Sequence, residues 1–133
     1  MPSAGITLSP TKTYLAISLD LDAPFPSFSI LSPILHWIQP GFKLGNDESG
    51  TAVLKTDAPF VANYIPPSPP PLSGRHRYLF LLYEQPEGFD GKKYAPANGA
   101  EMGISGRVRF DFDGWVSKVG LGELVGGNWF WSN

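Results

Sequence analysis

The chain has 133 residues, enough for one domain, and 42% of them are hydrophobic, as a folded core requires. A net charge of −2 and the absence of cysteine exclude a basic nucleic-acid interface, a disulfide scaffold and a cysteine zinc site. Fifteen glycines and 14 prolines argue against a helical bundle and favour short strands with long connections. We therefore predict a mainly β protein, with one domain over residues 1–133.

The first half of the chain carries three apolar runs of strand length. Residues 14–19 predict a first strand, and residues 34–39 predict a second strand that ends at the following Pro-Gly step. Polar residues 43–52 predict a hairpin-like connection. Residues 60–65 predict a short edge strand, because a proline-rich segment follows them directly.

The second half contains the clearest strand and the only helical pattern. The continuous apolar run 78–83 is typical of a buried central strand. Residues 86–107 predict a loop, with a turn of helix near 106–110. Apolar residues at intervals of three and four predict a helix over 111–119, and 124–131 predicts a last extended segment. These elements favour an antiparallel β-sandwich or open barrel with one or two peripheral helices.

From the sequence we expect neither a membrane anchor nor an export signal. No apolar run approaches the ~20 residues that a membrane span needs. The first ten residues lack the basic start and the apolar stretch of a signal peptide. We therefore expect a cytoplasmic protein without a membrane span.

Two carboxylates follow the first predicted strand. Asp20 and Asp22 are two residues apart, so at strand spacing both side chains point to the same face. Two such acids can share a proton or orient a neighbouring group. They can equally cap backbone N–H groups where the strand becomes a loop.

The chain has two histidines, and both flank predicted strands. His36 lies beside Trp37, and His76 lies just before the most apolar strand, with Tyr78 on the same face. Two histidines and an aspartate pair form a candidate site for acid–base chemistry. Zinc is the alternative, but no His-x-x-x-His or Glu-x-x-His spacing occurs, so we expect no metal. Arg75 and Arg77 should face away from His76 and form a rim.

These segments together resemble the phosphatidylethanolamine-binding protein family. Asp20–Pro24 is similar to the family's Asp-Pro-Asp-Ala-Pro motif, and His36-Trp37 is similar to its His-Trp step. Gly74–Tyr78 matches its Gly-x-His-Arg-Tyr motif, and Leu121–Phe130 resembles its C-terminal helix with Val-Ala-Gly-Asn-x-Phe. The resemblance covers roughly residues 14–131, and it depends on the order of several short motifs.

The resemblance implies an antiparallel β fold with a small anion pocket at one end. It places around that pocket Asp20, Asp22, His36, His76 and Tyr78, with Trp37, Pro70 and Gly74 in the wall and Phe130 near the anion. Imidazole, hydroxyl and backbone N–H groups suit phosphate, sulfate or carboxylate. The implied ligand is a small anionic metabolite or a phospholipid head group, with no cofactor.

Three departures from the family pattern affect what we expect. Leu21 replaces a proline of the first motif, and Phe130 stands where some members have a tyrosine. The resemblance also implies a fold that is shortened at its N-terminus, because the family usually has a strand pair before the first motif. We therefore expect an open edge or apolar face, covered by a second copy in a homodimer or by a partner protein.

Two classes of function follow from the resemblance. The amino-acid sequences of these motifs are similar to those of family members from filamentous fungi. Some short members of that branch accompany secondary-metabolite pathways. We expect an acid–base catalyst, with catalytic His76, His36 and Asp20, that prepares an acidic or anhydride-type intermediate for cyclisation or coupling. The alternative is a non-catalytic protein that binds an anion or phospholipid head group, or that inhibits a kinase or protease.

Overall fold

The structure, a computed structural model, describes residues 8–23, 31–69 and 74–132. They form one five-stranded antiparallel sheet in the order β3-β2-β1-β4-β5. The elements are β1 (Thr13–Asp20), β2 (Ile34–Asn46), β3 (Ala52–Lys55), β4 (His76–Glu84), α1 (Phe112–Val119) and β5 (Leu124–Ser132). The predicted mainly β class with a peripheral helix is confirmed.

The central strand is β1, and seven of its eight residues are buried. Leu15, Ile17 and Leu19 lie on one face of β1 in the core cluster, where loop residues and side chains of α1 pack against them. β4 lies between β1 and β5, so the 78–83 run is an inner strand as predicted. Its Leu79 and Leu81 are only half-buried, however, and β1 is the more buried of the two strands.

The predicted end of the second strand is wrong. β2 continues past Pro40 to Asn46 through a bulge at Pro40 and Gly41, where Gly41 adopts a φ of +84° that other residues rarely reach. The hairpin turn follows at Asp47, whose carboxylate accepts hydrogen bonds from the backbone N–H groups of Ser49 and Thr51. Residues 60–65 form only an isolated bridge to Ile38, through Ala62, instead of an edge strand.

The C-terminal elements lie close to their predicted positions. The Asp111 carboxylate accepts a hydrogen bond from Gly114 N and caps α1, and Gly120 ends the helix with a φ of +72°. The turn of helix predicted near 106–110 lies earlier, as a 3-10 turn at Ile104–Gly106. No helix in the described ranges is long and apolar enough to cross a membrane.

Antiparallel pairing brings several strand ends to one edge of the molecule. β1 ends at Asp20, which pairs in register with Ile34 at the start of β2 and with Tyr78 near the start of β4. His76, the first residue of β4, therefore lies at the same end of the sheet. Residues that are far apart in sequence meet here.

Candidate functional site

A buried carboxylate–imidazole pair occupies the end of the sheet. Asp20 Oδ2 lies 2.9 Å from His76 Nδ1, and the two residues are 3% and 1% exposed. The other carboxylate oxygen of Asp20 accepts a hydrogen bond from Asp22 N at 2.8 Å. Because a carboxylate accepts, His76 Nδ1 carries a proton and donates it to this bond.

Tyr78 stands on the same face of β4 as His76. The two rings stack with centroids 6.2 Å apart and planes at 19°. Burial, together with the negative charge of Asp20 and a hydrogen bond to it, raises the pKa of Tyr78 well above its usual value. The phenol therefore stays protonated at physiological pH and serves as a hydrogen-bond donor.

His36 enters the same group from β2. The register between β1 and β2 shifts from Ser18–Trp37 to Leu19–Leu35, so His36 has no partner in that register and occupies a bulge. His36 Nδ1 lies 2.8 Å from the Ile65 carbonyl oxygen, to which it must donate. Its ring meets Tyr78 edge-on, with centroids 5.2 Å apart.

The environment of His36 favours its neutral form. Burial is the main cause that lowers its pKa, and the hydrogen bond to Ile65 and the charge of Asp20 oppose it. The positive charge of Arg107 lowers the pKa further. His36 is thus a neutral imidazole at pH 7, with Nε2 as its basic nitrogen.

The structure brings four predicted site residues into one group, which we name the polar cluster: Asp20, His36, His76 and Tyr78. All four are between 1% and 6% exposed. Phe130 of β5 lies beside this cluster, because its ring stacks on Tyr78 with a centroid distance of 5.6 Å. The cluster therefore has one face formed by an aromatic side chain that is itself exposed.

Asp22 does not join the polar cluster as a free carboxylate. Its Oδ2 accepts hydrogen bonds from Arg77 N at 2.7 Å and Arg77 Nε at 3.0 Å, and Oδ1 accepts one from Nη2 at 2.9 Å. These contacts with Arg77 hold the pKa of Asp22 below its usual value. The ligand-binding role of Asp22 therefore stays a prediction, and the pair joins the segment that follows β1 to β4.

Three further predicted wall residues have different surroundings. Trp37 meets Phe42, Tyr64 and Phe80 edge-on, so its ring contacts lie along the sheet rather than on the polar cluster. Gly74 has a φ of +83°, and this backbone conformation explains a glycine there. Pro70 lies outside the described residues.

Sequence reasoning missed Arg107, which is 2% exposed. Its guanidinium donates to the backbone oxygens of Met102, Leu35 and Asn63 at 2.9, 3.1 and 3.0 Å, and to the side-chain oxygen of Asn63 at 2.7 Å. Arg107 thereby fixes the backbone next to His36. Nothing in its glycine-rich context distinguishes it from the exposed Arg109 two residues later.

A metal centre receives no support from the side chains. Within residues 8–23, 31–69 and 74–132, no group of three His, Cys, Asp or Glu residues could hold an ion. The chemistry of the polar cluster is therefore that of two imidazoles, a carboxylate and a phenol. Such a set can accept, hold and donate protons.

Comparisons with known proteins agree with this architecture. The chain is 36% identical over 103 residues to phomoidride biosynthesis cluster protein N of Talaromyces stipitatus, covering 74% of this chain and 48% of that protein. It is 27% identical over 129 residues to carboxypeptidase Y inhibitor of Saccharomyces cerevisiae, covering 90% and 58%. The chain thus spans about half the length of the curated relatives it matches.

A solved structure gives the same result. Carboxypeptidase Y inhibitor, in its complex with the cognate proteinase, superposes with a TM-score of 0.71 at 26% identity. The match covers 94% of this chain and 61% of that chain. The family model of the phosphatidylethanolamine-binding proteins matches residues 2–130, and the chain therefore belongs to the phosphatidylethanolamine-binding protein family.

Proposed function

We propose that the polar cluster binds the carboxylate or phosphate group of a small acidic metabolite and transfers protons on it, without a cofactor. The single observation that carries this proposal is the buried Asp20–His76 pair at 2.9 Å. The 36% identity to a fungal biosynthesis cluster protein favours an intermediate of secondary metabolism as the substrate. An acidic or anhydride-type intermediate that is then cyclised or coupled fits this chemistry.

His76 is the general base in this proposal. Its Nδ1–H donates to Asp20, which fixes the tautomer, and Nε2 is the nitrogen that accepts the substrate proton in this proposal. The negative charge of Asp20 then stabilises the imidazolium that forms. A positioned base of this kind accelerates a reaction by ~10²–10⁴.

In this proposal Tyr78 binds the substrate, and His36 accepts a second proton or a hydrogen bond. Tyr78, whose phenol stays protonated, turns its single O–H from Asp20 to the anionic group of the substrate when the substrate binds. His36 is neutral, so its Nε2 can accept a second proton or a hydrogen bond from a hydroxyl group. The buried guanidinium of Arg107 adds a fixed positive charge behind His36, which favours an anion over a cation.

The test begins with the gene and ends with the purified chain. Metabolite profiles of the organism with and without the gene identify the acid that accumulates. That acid is incubated with the protein in D₂O, and deuterium incorporation and product are measured by mass spectrometry. We expect wild type to incorporate deuterium, and His76→Ala to lose ~10²–10⁴ of the rate while its circular dichroism is unchanged.

Asp57→Asn is the matched control, because Asp57 is an exposed loop residue away from the polar cluster. It should retain the wild-type rate. An active His76→Ala variant contradicts the assignment of the base. A wild-type chain that neither exchanges deuterium nor forms product from the accumulated acid contradicts the enzyme proposal altogether.

The second candidate is a non-catalytic protein that binds an anionic head group or inhibits a protease or kinase. The similarity to carboxypeptidase Y inhibitor and the low exposure of the polar cluster favour it. In this case His76→Ala and Tyr78→Phe lose phosphate affinity in parallel in calorimetry, and no acid is converted. Inhibition of carboxypeptidase Y by the wild-type chain, and no turnover, decides for an inhibitor.

A further inference from the structure

A cavity of about 560 Å³ lies at the end of the sheet opposite the polar cluster. It is formed by the middle of β2, by residues 58–60 and by the loop that follows β4. Its apolar wall includes Pro40, Pro59, Phe60, Phe89 and Pro96. The polar cluster lies at the start of β4 and the cavity follows its end, so the nine residues of this strand separate the two places by roughly 30 Å.

Contacts within the chain hold the walls of this cavity in place. Gln39 Nε2 donates to the Ala58 carbonyl oxygen at 2.8 Å. Ala58 also lies so close to Gly41 that a β-carbon added to this glycine would be 2.6 Å from the Ala58 Cβ. On the other wall, Gly91 packs against Val61, because an added β-carbon would be 3.3 Å from a Val61 methyl carbon. The cavity is therefore formed before any ligand binds, as is usual for small-molecule sites.

Two polar side chains of the wall offer hydrogen-bond donors. Gln85 Oε1 accepts a hydrogen bond from Gly41 N at 2.9 Å, and its amide nitrogen has no hydrogen-bond partner in the part of the chain that the structure describes. The Asp90 carboxylate accepts a hydrogen bond from Lys92 N at 3.1 Å. The Lys92 ammonium forms no ion pair with any described residue. These donors suit a ligand that carries an anionic acceptor.

We propose that this cavity binds a ring-containing carboxylic acid with one negative charge, at a site separate from the polar cluster. Pockets that hold small molecules have volumes of about 300–1,000 Å³ and mostly apolar walls with a few polar groups, as here. Phe60 and Phe89, from two separate segments, contact the ring of the ligand. Lys92 and Gln85 donate to its carboxylate.

The same wall disfavours other classes of ligand. Lys92 is the one cationic side chain among the described lining residues, and Asp90 lies two residues before it. A nucleotide or diphosphate brings further negative charges, which Asp90 repels. A sugar would bury hydroxyl groups against prolines and phenyl rings without partners, which costs free energy. An organic cation would meet the ammonium group of Lys92.

Two fluorescent probes with the same rings test the site. 8-Anilinonaphthalene-1-sulfonate is a monoanion, and N-phenyl-1-naphthylamine is the same molecule without the sulfonate group. We expect the anionic probe to bind wild type with a dissociation constant of about 10–100 µM, the range for a ligand of about twenty non-hydrogen atoms. 1-Naphthoate, which combines a ring system with a carboxylate, should displace it.

The charge of the ligand is tested at the 3-10 turn Gly91–Lys93, which carries two exposed lysines. Lys92→Met should weaken binding of the anionic probe about three- to tenfold and leave the neutral probe within about twofold of wild type. Lys93→Met is the matched control, because Lys93 does not line the cavity, and both probes should bind it like wild type.

The place of binding is tested by filling the cavity. Ala97 lines the cavity and is exposed, so the chain can accept a larger side chain there. Ala97→Trp should weaken binding of both probes at least about tenfold, because the indole takes the space of the ligand rings. Ala95→Trp, at a half-buried lining position, is the second variant. Ala100→Trp is the matched control, because Ala100 is also exposed but lies outside the cavity wall, and it should bind like wild type.

Three results would overturn this proposal, and each is independent of whether the polar cluster binds or converts an acid. The first is a wild-type chain from which 1-naphthoate displaces no anionic probe. The second is wild-type affinity for the probes in both folded variants Ala97→Trp and Ala95→Trp, which would place the probes on another apolar surface. The third is a loss of probe binding in His76→Ala, which would place the probes in the polar cluster; we expect this variant to bind them like wild type.

Discussion

Two aspartates of one short motif have different partners in this molecule. Asp20 contacts a titratable imidazole in the polar cluster and is buried together with it. Asp22, two residues later, is held by the guanidinium of Arg77, whose side chain is 47% exposed. The difference shows that the partner of a carboxylate determines the chemistry available to it. An imidazole can exchange a proton near neutral pH, and a guanidinium cannot.

Asparagine variants of the two aspartates test this difference directly. Asp20→Asn keeps the size of the side chain but removes the charge that fixes and stabilises His76, so we expect the turnover of the acid substrate to fall by about 10²–10⁴. Asp22→Asn should keep turnover within about threefold, because the side chain of Asp22 contacts Arg77 and the backbone N–H that it donates to Asp20 is retained. Single-turnover rates measured with the substrate check both values.

Equal losses of turnover in the two variants would contradict the division of roles. The folded fraction, measured by near-ultraviolet circular dichroism, is the necessary control. A lower rate counts only for protein that retains the wild-type spectrum.

Arg107 stabilises the backbone next to His36 and therefore acts on the polar cluster, the surroundings of Asp20. Arg107→Gln leaves backbone oxygens of Leu35, Met102 and Asn63 without their donor, and we expect the free energy of unfolding to fall by about 2–4 kcal/mol. Urea denaturation measures this loss. Arg109→Gln, at an exposed arginine, is the control and should stay within about 0.5 kcal/mol of wild type.

The same variant reports on His36. Removing the guanidinium should raise the pKa of this imidazole, because the positive charge of Arg107 lowers it. The chain has two histidines, so NMR titration resolves them. A His36 pKa that stays constant in Arg107→Gln would show that burial alone keeps the ring neutral.

Much of this fold follows from local patterns in the sequence. The period of apolar residues placed α1 within one residue, and the continuous run 78–83 marked β4, because these patterns depend on neighbours along the chain. The course of β2 beyond Pro40 depended on one backbone angle at Gly41, which a pattern of side chains does not carry.

The site was less accessible to sequence reasoning, for a different reason. Asp20, His36, His76 and Tyr78 come from three strands, and their meeting was expected from the family resemblance rather than from spacing. The pairing of Asp22 with Arg77 and the burial of Arg107 are tertiary contacts with no local pattern. Local rules therefore predicted β1, the start of β2, β4 and β5 but missed β3, and long-range contacts decided which partner each charged group has.

Tyr78→Phe also changes the polar cluster, and we expect a smaller effect from it, on the affinity for phosphate. The variant loses one hydrogen-bond donor to a charged group, which contributes about 1.5–3 kcal/mol, so phosphate affinity should fall roughly 10- to 100-fold. Isothermal titration calorimetry with inorganic phosphate measures it. Tyr83→Phe is the matched control, because Tyr83 is also buried on β4 but packs on Phe112 in the core, and its affinity should equal that of wild type.

The smallest effect concerns Asp22, and its dependence on pH separates an ion pair from a packing effect. The pKa of Asp22 is lowered in the folded chain, so its contribution to stability is complete above the unfolded pKa of about 3.9 and is lost as the pH falls through the lower folded value. Because Arg77 is half exposed, we expect Asp22→Asn to cost only about 1 kcal/mol at pH 7. In urea denaturation the difference in the free energy of unfolding between the variant and wild type should narrow below about pH 4 and disappear at still lower pH.

Asp57→Asn is the control and should have the same free energy of unfolding as wild type at every pH. A gap for Asp22→Asn that stays constant through the acid range would mean that the side chain acts by shape instead of charge, and the two aspartates would then differ less than their contacts indicate.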